Sequence, residues 1–447
     1  MSDFQPARTL RDVFNAANPL LPLPSGDPRY VDCTAVRGNE DVVTQLFQCI
    51  TWSDTVTTQL FTGHRGCGKS TELLRPRQRL TDAGYAVIYF DADELIDIED
   101  TEYTDVLVAI ARQVFEGLDT LGVQLSDDLL ESVFAWFAEV VYEQESVKAA
   151  QAELEAEFSV KSPPLPFLFA KLMGKITGQL KTGIESKHTI RRRLDPQIAQ
   201  LIDKINLLLR SGEVALRKRG QQGLAVVVDG LDRVMYRTLD DGQRNSHDAL
   251  FIEHGEQLRA CRVHLVYTVP ISMFYSPRAS VLANVFPDYR ILPMIKVHTR
   301  TNAPAPDGLE KLREMLARRI DLDVIFEEAA LEALCSASGG HPRILMTLVR
   351  NACTYAANRF PKPIDANAAE RAISRLVSEF SRSIPEEHFP LLAQVYVRKQ
   401  VNNDDAHRLM LQNLSVLEYM NGAPPWQDVQ PVVLRLNKFR EALTGGR

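Results

Sequence analysis

The sequence predicts an α/β protein built on a five-stranded parallel sheet, followed by a predominantly helical C-terminal part. Three observations carry this. Residues 85–91 and 224–229 are unbroken apolar runs of strand length that end in aspartate, as expected of parallel strands covered on both faces. Gly63, Gly68, Lys69 and Ser70 keep a G-x-x-x-x-G-K-S spacing, placed between a short apolar strand (Leu60, Phe61) and a plausible helix. Beyond Pro306, apolar residues recur with a period near 3.6 over 309–320, 327–336 and 342–360.

The chain of 447 residues has room for two or three domains, and its 45% hydrophobic and 24% charged residues are ordinary for a globular protein. A formal charge of -7 argues against a protein that coats nucleic acid with its whole surface. Six scattered cysteines, without a C-x-x-C pair or clustered histidines, read as reduced thiols and not as a disulfide framework or zinc site. No apolar run approaches the ~20 residues of a membrane span, and the N-terminus lacks the pattern of a signal peptide, so a cytoplasmic protein is expected.

Taken in order, residues 1–29 read as an irregular arm rich in proline and small polar residues. Asn39 is expected to cap an amphipathic helix bearing Val43, Leu46, Phe47 and Ile50, and Tyr30 to Gly38 to line an adenine pocket. In the glycine loop, Gly63, His64, Arg65, Gly66, Cys67 and Gly68 would turn backbone N–H groups toward one point, as a triphosphate requires. Lys69 would reach the β- and γ-phosphates, Ser70 would hold Mg²⁺, and Thr71 would follow at the helix start. Helix-terminal amides would also act on the Cys67 thiol, a candidate for oxidation sensing. Asp91, Asp93 and Glu94 then close the second strand at the edge where open α/β sheets bind ligands, and a helix follows over 104–118.

Residues 125–220 form an insertion. It opens with an acidic helical stretch (Glu131, Glu139, Glu143, Glu145, Glu153, Glu155, Glu157), is broken at 162–166, and continues through an apolar run over 167–184 to a long helix over 195–219. Residues 161–220 hold thirteen Lys/Arg against four acids, a local excess of nine that includes Arg191, Arg192 and Arg193. Solvated helices, nucleic-acid contact, an anionic surface and a partner subunit all fit that excess.

The strand over 224–229 ends in Asp229, expected to complete the Mg²⁺ shell, and Asp232 stands three residues on as a candidate general base. Strands over 263–269 and 290–295 complete the sheet. Thr268 would sit between metal and attacking water, and Arg278 and Arg290 are candidates to serve a neighbouring subunit's γ-phosphate. In the helical lid, 301–380, Pro342 suits the first turn of a helix and Arg343 would swing onto the nucleotide. Residues 381–447, short helices with a hairpin at 416–436, suggest a winged-helix-like unit without a basic recognition face.

With both loops placed, the chain resembles the STAND class of P-loop ATPases, relatives of AAA+ and origin-recognition proteins, over roughly residues 30–120 and 221–440. The loop Gly63 to Ser70, the run Val226-Val-Val-Asp229-Gly230-Leu231-Asp232-Arg233, and Gly340-His341-Pro342 carry the resemblance. STAND proteins put a small residue after the metal aspartate and an acid two places further, whereas AAA+ proteins put the acid directly after it; here that position is Gly230. The resemblance implies a P-loop NTPase domain over 30–300 that binds ATP and Mg²⁺ and hydrolyses slowly. It further implies a switch from monomer to homo-oligomer in the ATP state, with His341 or Arg343 reporting nucleotide to the lid. It lacks a repeat array and a second catalytic motif, so sensing or effector action would lie in a separate protein, as in compact bacterial defence or signalling systems. The competing readings are an origin-recognition-like DNA-binding AAA+ ATPase, contacting phosphates through 161–220 and the winged helix, and a scaffold that binds nucleotide without hydrolysis.

Overall fold

The computed structural model describes residues 5–142, 163–239, 244–359, 362–420 and 424–445. Five parallel strands, β1 (Thr58–Gly63), β2 (Tyr85–Asp91), β3 (Gly223–Asp229), β4 (His264–Val269) and β5 (Asp288–Leu292), lie in the order β2-β3-β4-β1-β5. The P-loop type of α/β fold is therefore present. β3 is buried along its whole length, as its Leu-Ala-Val-Val-Val run requires. In register, Asp91 stands beside Asp229 and Gly63 beside Leu292, so all the chemistry-bearing strand ends share one edge.

β5 is shorter at its C-terminal end than the expected 290–295. Pro293 has no N–H for the ladder, and the next amide, Met294 N, donates instead to Glu418 O at 2.9 Å. A second correction concerns the helix Val42–Trp52. Its N-cap is Asp41, whose side chain accepts from Thr44 N, while Asn39 sits two residues earlier with a left-handed φ of 66°.

The helices Asp127–Tyr142, Leu165–Thr182, Glu185–Leu194 and Ile198–Lys218 of the insertion pack with the helix Tyr103–Thr120 and one face of the sheet in a single core. The helix expected over 195–219 starts only at Ile198, after a 3-10 turn Asp195–Gln197. Part of the basic excess is directed inward. Lys187 pairs with Asp97 and Asp100; Arg191, buried, pairs with Asp100 at 3.0 Å, Glu102 at 3.1 Å and the fully buried Asp105 at 2.5 Å. Arg192, Arg210 and Lys218 remain exposed. Glu131 and Glu139 fall in the first insertion helix, whereas Glu143, Glu145, Glu153, Glu155, Glu157 and Ser162 lie outside the described residues; of the break expected over 162–166, Pro163 and Pro164 precede the helix that starts at Leu165.

The lid helices Pro306–Ala317, Glu328–Ala337, Pro342–Ala356 and Ala366–Ser383 share a core with the N-terminal Val13 and Ala17 and with C-terminal residues such as Leu392, Met410 and Val433. Helices Phe389–Arg398 and Asp405–Gln412 precede an antiparallel hairpin, β6 (Val416–Tyr419) and β7 (Trp426–Val429), and the helix Asn437–Gly445 ends the described chain. Leu417, Tyr419 and Trp426 of the hairpin pack with Phe61, Cys67, Leu292 and Met294, next to the glycine loop. No described helix is long and apolar enough to cross a membrane.

Candidate nucleotide site

The loop after β1 turns because Gly66 and Gly68 adopt left-handed φ values of 91° and 107°. At Gly66 space is also short: a Cβ would lie 2.8 Å from His341 Cε1 and 2.9 Å from Arg343 Cδ. Lys69 opens the helix Lys69–Asp82 and folds back, its Nζ donating to Gly63 O at 2.8 Å and His64 O at 2.9 Å. The same ammonium pairs with Asp232 Oδ2 at 2.9 Å. Burial works to lower the Lys69 pKa, but the nearby carboxylates, Asp232 first, outweigh it and raise it. Lys69 therefore stays charged.

Asp229, at the tip of β3, is almost wholly buried. Burial, reinforced by Asp232, raises its pKa, while hydrogen bonds from Ser70 and Tyr89 oppose the rise. Tyr89 OH donates to Asp229 Oδ2 at 2.6 Å. A hydroxyl and a carboxylate already in contact, Ser70 and Asp229, form an all-oxygen donor pair suited to Mg²⁺, which keeps several of its waters. No cluster of three or more His, Cys, Asp or Glu able to hold a metal occurs among the described residues.

Gly230 follows with φ 86°, and a Cβ there would run into Asp91 Oδ1 and the Arg233 guanidinium. The left-handed backbone, which a residue with a Cβ adopts only under strain, gives a conformational reason for glycine and not an acid directly after Asp229. Arg233 pairs with Asp91 and, at 3.2 Å, with Asp93, so these two carboxylates are held by protein; Glu94 lines the cavity. Thr268 departs from expectation: its hydroxyl accepts from Leu231 N at 3.1 Å and so fixes the loop carrying Asp232. Arg278 pairs with Glu253 at 3.1 Å, and Arg290 donates to Tyr289 O; neither lines the cavity. The Cys67 thiol is completely buried, an unsuitable position for an oxidation sensor, and all six cysteines are free.

Two buried histidines fasten the loop to the rest of the molecule. His64 Nε2 accepts from Glu418 N at 2.8 Å, which leaves Nδ1 as the donor toward Leu411 O at 3.2 Å. His341 Nδ1 accepts from Ile344 N at 3.2 Å, capping the helix Pro342–Ala356, so its Nε2 donates to Arg65 O at 3.0 Å. Burial pushes both imidazoles down to about 3, so each is neutral, as this pattern requires. Pro342 starts the lid helix, and Arg343 N lies 3.4 Å from Gly66 O.

Above the loop lies a cavity of about 450 Å³, within the range of small-molecule sites. Its polar lining includes Lys69, Ser70, Asp229, Asp232, Arg233 and Arg343. Pro19 to Leu23, Tyr30, Val31, Met315 and Met346 add apolar walls, and Arg343 Nε donates to Pro19 O at 3.3 Å where the two sets meet. A phosphate-bearing ligand with a flat apolar group fits this polarity. Tyr30, Val31 and Arg37 stand where a base pocket was expected. The arm before them is more than a leader: the helix Leu10–Ala16 packs on the lid helix, and Leu23 N donates to Thr71 Oγ1 at 3.1 Å. Sequence reasoning missed this wall, along with Tyr89 and Arg319; Arg37, inside the expected stretch 30–38, holds Cys67 O at 2.8 Å and Pro293 O at 2.5 Å. Tyr89 alone left a signal, standing two residues before the last aspartate of a strand.

The sheet order, the loop between β1 and its helix, and the aspartate at the tip of β3 define a P-loop nucleotide-site architecture. No family model matches the chain, and no curated protein does. Among solved structures the chain is similar to Cdc6p from Pyrobaculum aerophilum, at 11% identity and a TM-score of 0.39, covering 97% of this chain and 98% of that one. It is similar also to the Aeropyrum pernix ORC1 protein, solved in complex with DNA, at 14% identity and a TM-score of 0.40, covering 98% and 96%. A Walker-type ATPase of Pyrococcus abyssi gives 13% identity and a TM-score of 0.40, covering 95% and 99%.

Proposed function

We propose that this chain is a Mg²⁺-dependent ATP-binding and hydrolysing switch of the STAND type, which oligomerises in its ATP state and acts on a separate effector or sensor protein. The observation that carries the reading is the convergence of Lys69, Ser70, Asp229 and Asp232 in the lining of one cavity that also has apolar walls. Ser70 and Asp229 would hold the metal, and Gly63 to Thr71 would wrap the phosphates. When bound, Mg²⁺ supplies charge neutralisation across the β- and γ-phosphate oxygens. Lys69 would leave Asp232 to donate to the phosphates. Asp232, released, would accept a proton from the attacking water, and Arg343 would carry the state of the site into the lid.

Calorimetry with a non-hydrolysable ATP analogue, paired with phosphate-release assays, tests this. Lys69→Ala should abolish binding, and Asp232→Ala should bind but not turn over. Normal turnover by Asp232→Ala refutes its role. Solution mass with ADP and with the analogue checks the oligomeric switch, which requires growth with the analogue only.

A further inference from the structure

Charged groups are seldom buried without a counter-charge. Arg319 is such a case: it is 9% exposed, it lines the nucleotide cavity, and no carboxylate among the described residues pairs with it. Its protein partners are the carbonyls of Arg29 at 3.0 Å and Met315 at 2.7 Å, and both bonds leave from NH1. Nε and NH2 have no acceptor among the described residues. Asp27 is near enough for its pKa to be lowered slightly by Arg319, but its carboxylate is held by Arg29, at 2.9 Å from Nε and 2.7 Å from NH2. Burial, with Arg29 next, brings the Arg319 pKa down to about 10, which leaves it charged at neutral pH.

The position of Arg319 decides what it faces. Lys69, Arg233 and Arg343 gather around Asp232 in the cavity wall. Arg319 stands apart from that group: it follows the lid helix that carries Met315, it holds the carbonyl of Arg29, the residue before Tyr30, and the charges that act on it are Arg29, Asp27 and Arg318. A guanidinium offers only donors, in a planar fork, and so selects an acceptor. On a purine those acceptors are ring nitrogens, and on guanine O6 as well.

We propose that Arg319 is a specificity-determining residue that donates from Nε and NH2 to an acceptor on the base of the bound purine nucleotide. This rests on the nucleotide-binding reading above. An acceptor on the bound ligand's base thus takes up donors that the described protein residues leave without an acceptor.

The test compares full-length wild type, Arg319→Ala and Arg319→Lys by calorimetry, using a non-hydrolysable ATP analogue, the matching GTP analogue and inorganic tripolyphosphate, with unfolding followed separately. Arg319→Ala should weaken the preferred purine analogue by about ten- to a hundredfold, the scale of a hydrogen bond to a charged group. It should narrow the ratio between the two purines and leave tripolyphosphate binding within about twofold. Arg319→Lys keeps the charge but loses the fork, and should also narrow the ratio. Should Arg319→Ala unfold, Arg319→Lys alone decides. Equal losses for analogue and tripolyphosphate would assign Arg319 to the phosphates, and unchanged binding would leave it a tie for the arm; either overturns the proposal. Wild type that binds tripolyphosphate but neither purine analogue would overturn base reading while sparing the phosphate site. Wild type that binds none of the three would overturn both.

Discussion

Asp232→Asn separates the two duties assigned to Asp232, as base and as partner of Lys69. The side chains of the pair are 4% and 8% exposed and meet at 2.9 Å. At an effective dielectric constant of about 20, two unit charges at that distance attract by about 6 kcal/mol. Removing one member of a buried pair costs about 3–5 kcal/mol once desolvation is included. Lys69 keeps the carbonyls of Gly63 and His64, which places the loss at the lower end. A phosphate that claims Lys69 in the wild type must displace Asp232; in the variant it need not. The variant should therefore lose turnover while binding the ATP analogue at least about tenfold more tightly, and its unliganded form should unfold more easily. Glu94→Gln controls for bulk charge, since Glu94 lines the same cavity without pairing to Lys69. Isothermal titration of wild type and both variants reads the difference. An equal gain in Glu94→Gln, or no gain in Asp232→Asn, would refute the competition between carboxylate and phosphate.

Tyr89→Phe removes the 2.6 Å bond to Asp229 and should raise the Mg²⁺ concentration for half-maximal turnover about tenfold, with nucleotide affinity in the absence of metal unchanged; a Mg²⁺ titration of turnover checks it. Glu418 is fully buried, and burial lifts its pKa from 4.5 to about 7. Below pH 4.5 both folded and unfolded chains hold the proton; between 4.5 and 7 the unfolded chain releases it first, so the fold loses stability as pH rises, by on the order of 3 kcal/mol in all. Glu418→Gln escapes this, and urea unfolding should show its advantage over wild type growing from pH 5 to pH 8; an equal difference at both values would sink the assignment.

The parts legible in the sequence were those in which local chemistry is also the structural reason. The strands around Val87 and Val227 announce themselves by apolar continuity, and the loop at Gly66 by residues that only a tight wrap would select. Boundaries were less legible where a tertiary partner decides them: β5 stops at Leu292 because Pro293 interrupts pairing and Glu418 takes the next amide. The arm reads as irregular in the sequence because its order comes from Thr71 and the lid helix, both distant along the chain. For Arg191 the sequence leaves several uses open and shows no internal partner, since Asp100 and Asp105 lie about ninety residues away. Arg319 gave no signal at all, for an arginine in a helical lid is ordinary until its burial is seen.

Successive residues of the glycine loop are latched to different elements: His64 to the hairpin and the helix before it, Arg65 to the cap of the lid helix. Rotation of the lid away from the loop must undo the Arg65 latch, and withdrawal of the C-terminal hairpin must undo the His64 latch. The two elements are themselves joined, Tyr419 OH donating to Gly339 O at 2.8 Å and Gln430 Nε2 to Ala337 O at 3.0 Å, so both latches close on one assembly. The carbonyl of His64 that receives the Lys69 ammonium belongs to the residue whose ring holds the hairpin, so a lysine that turned away from that carbonyl would act on the residue that ties loop to hairpin.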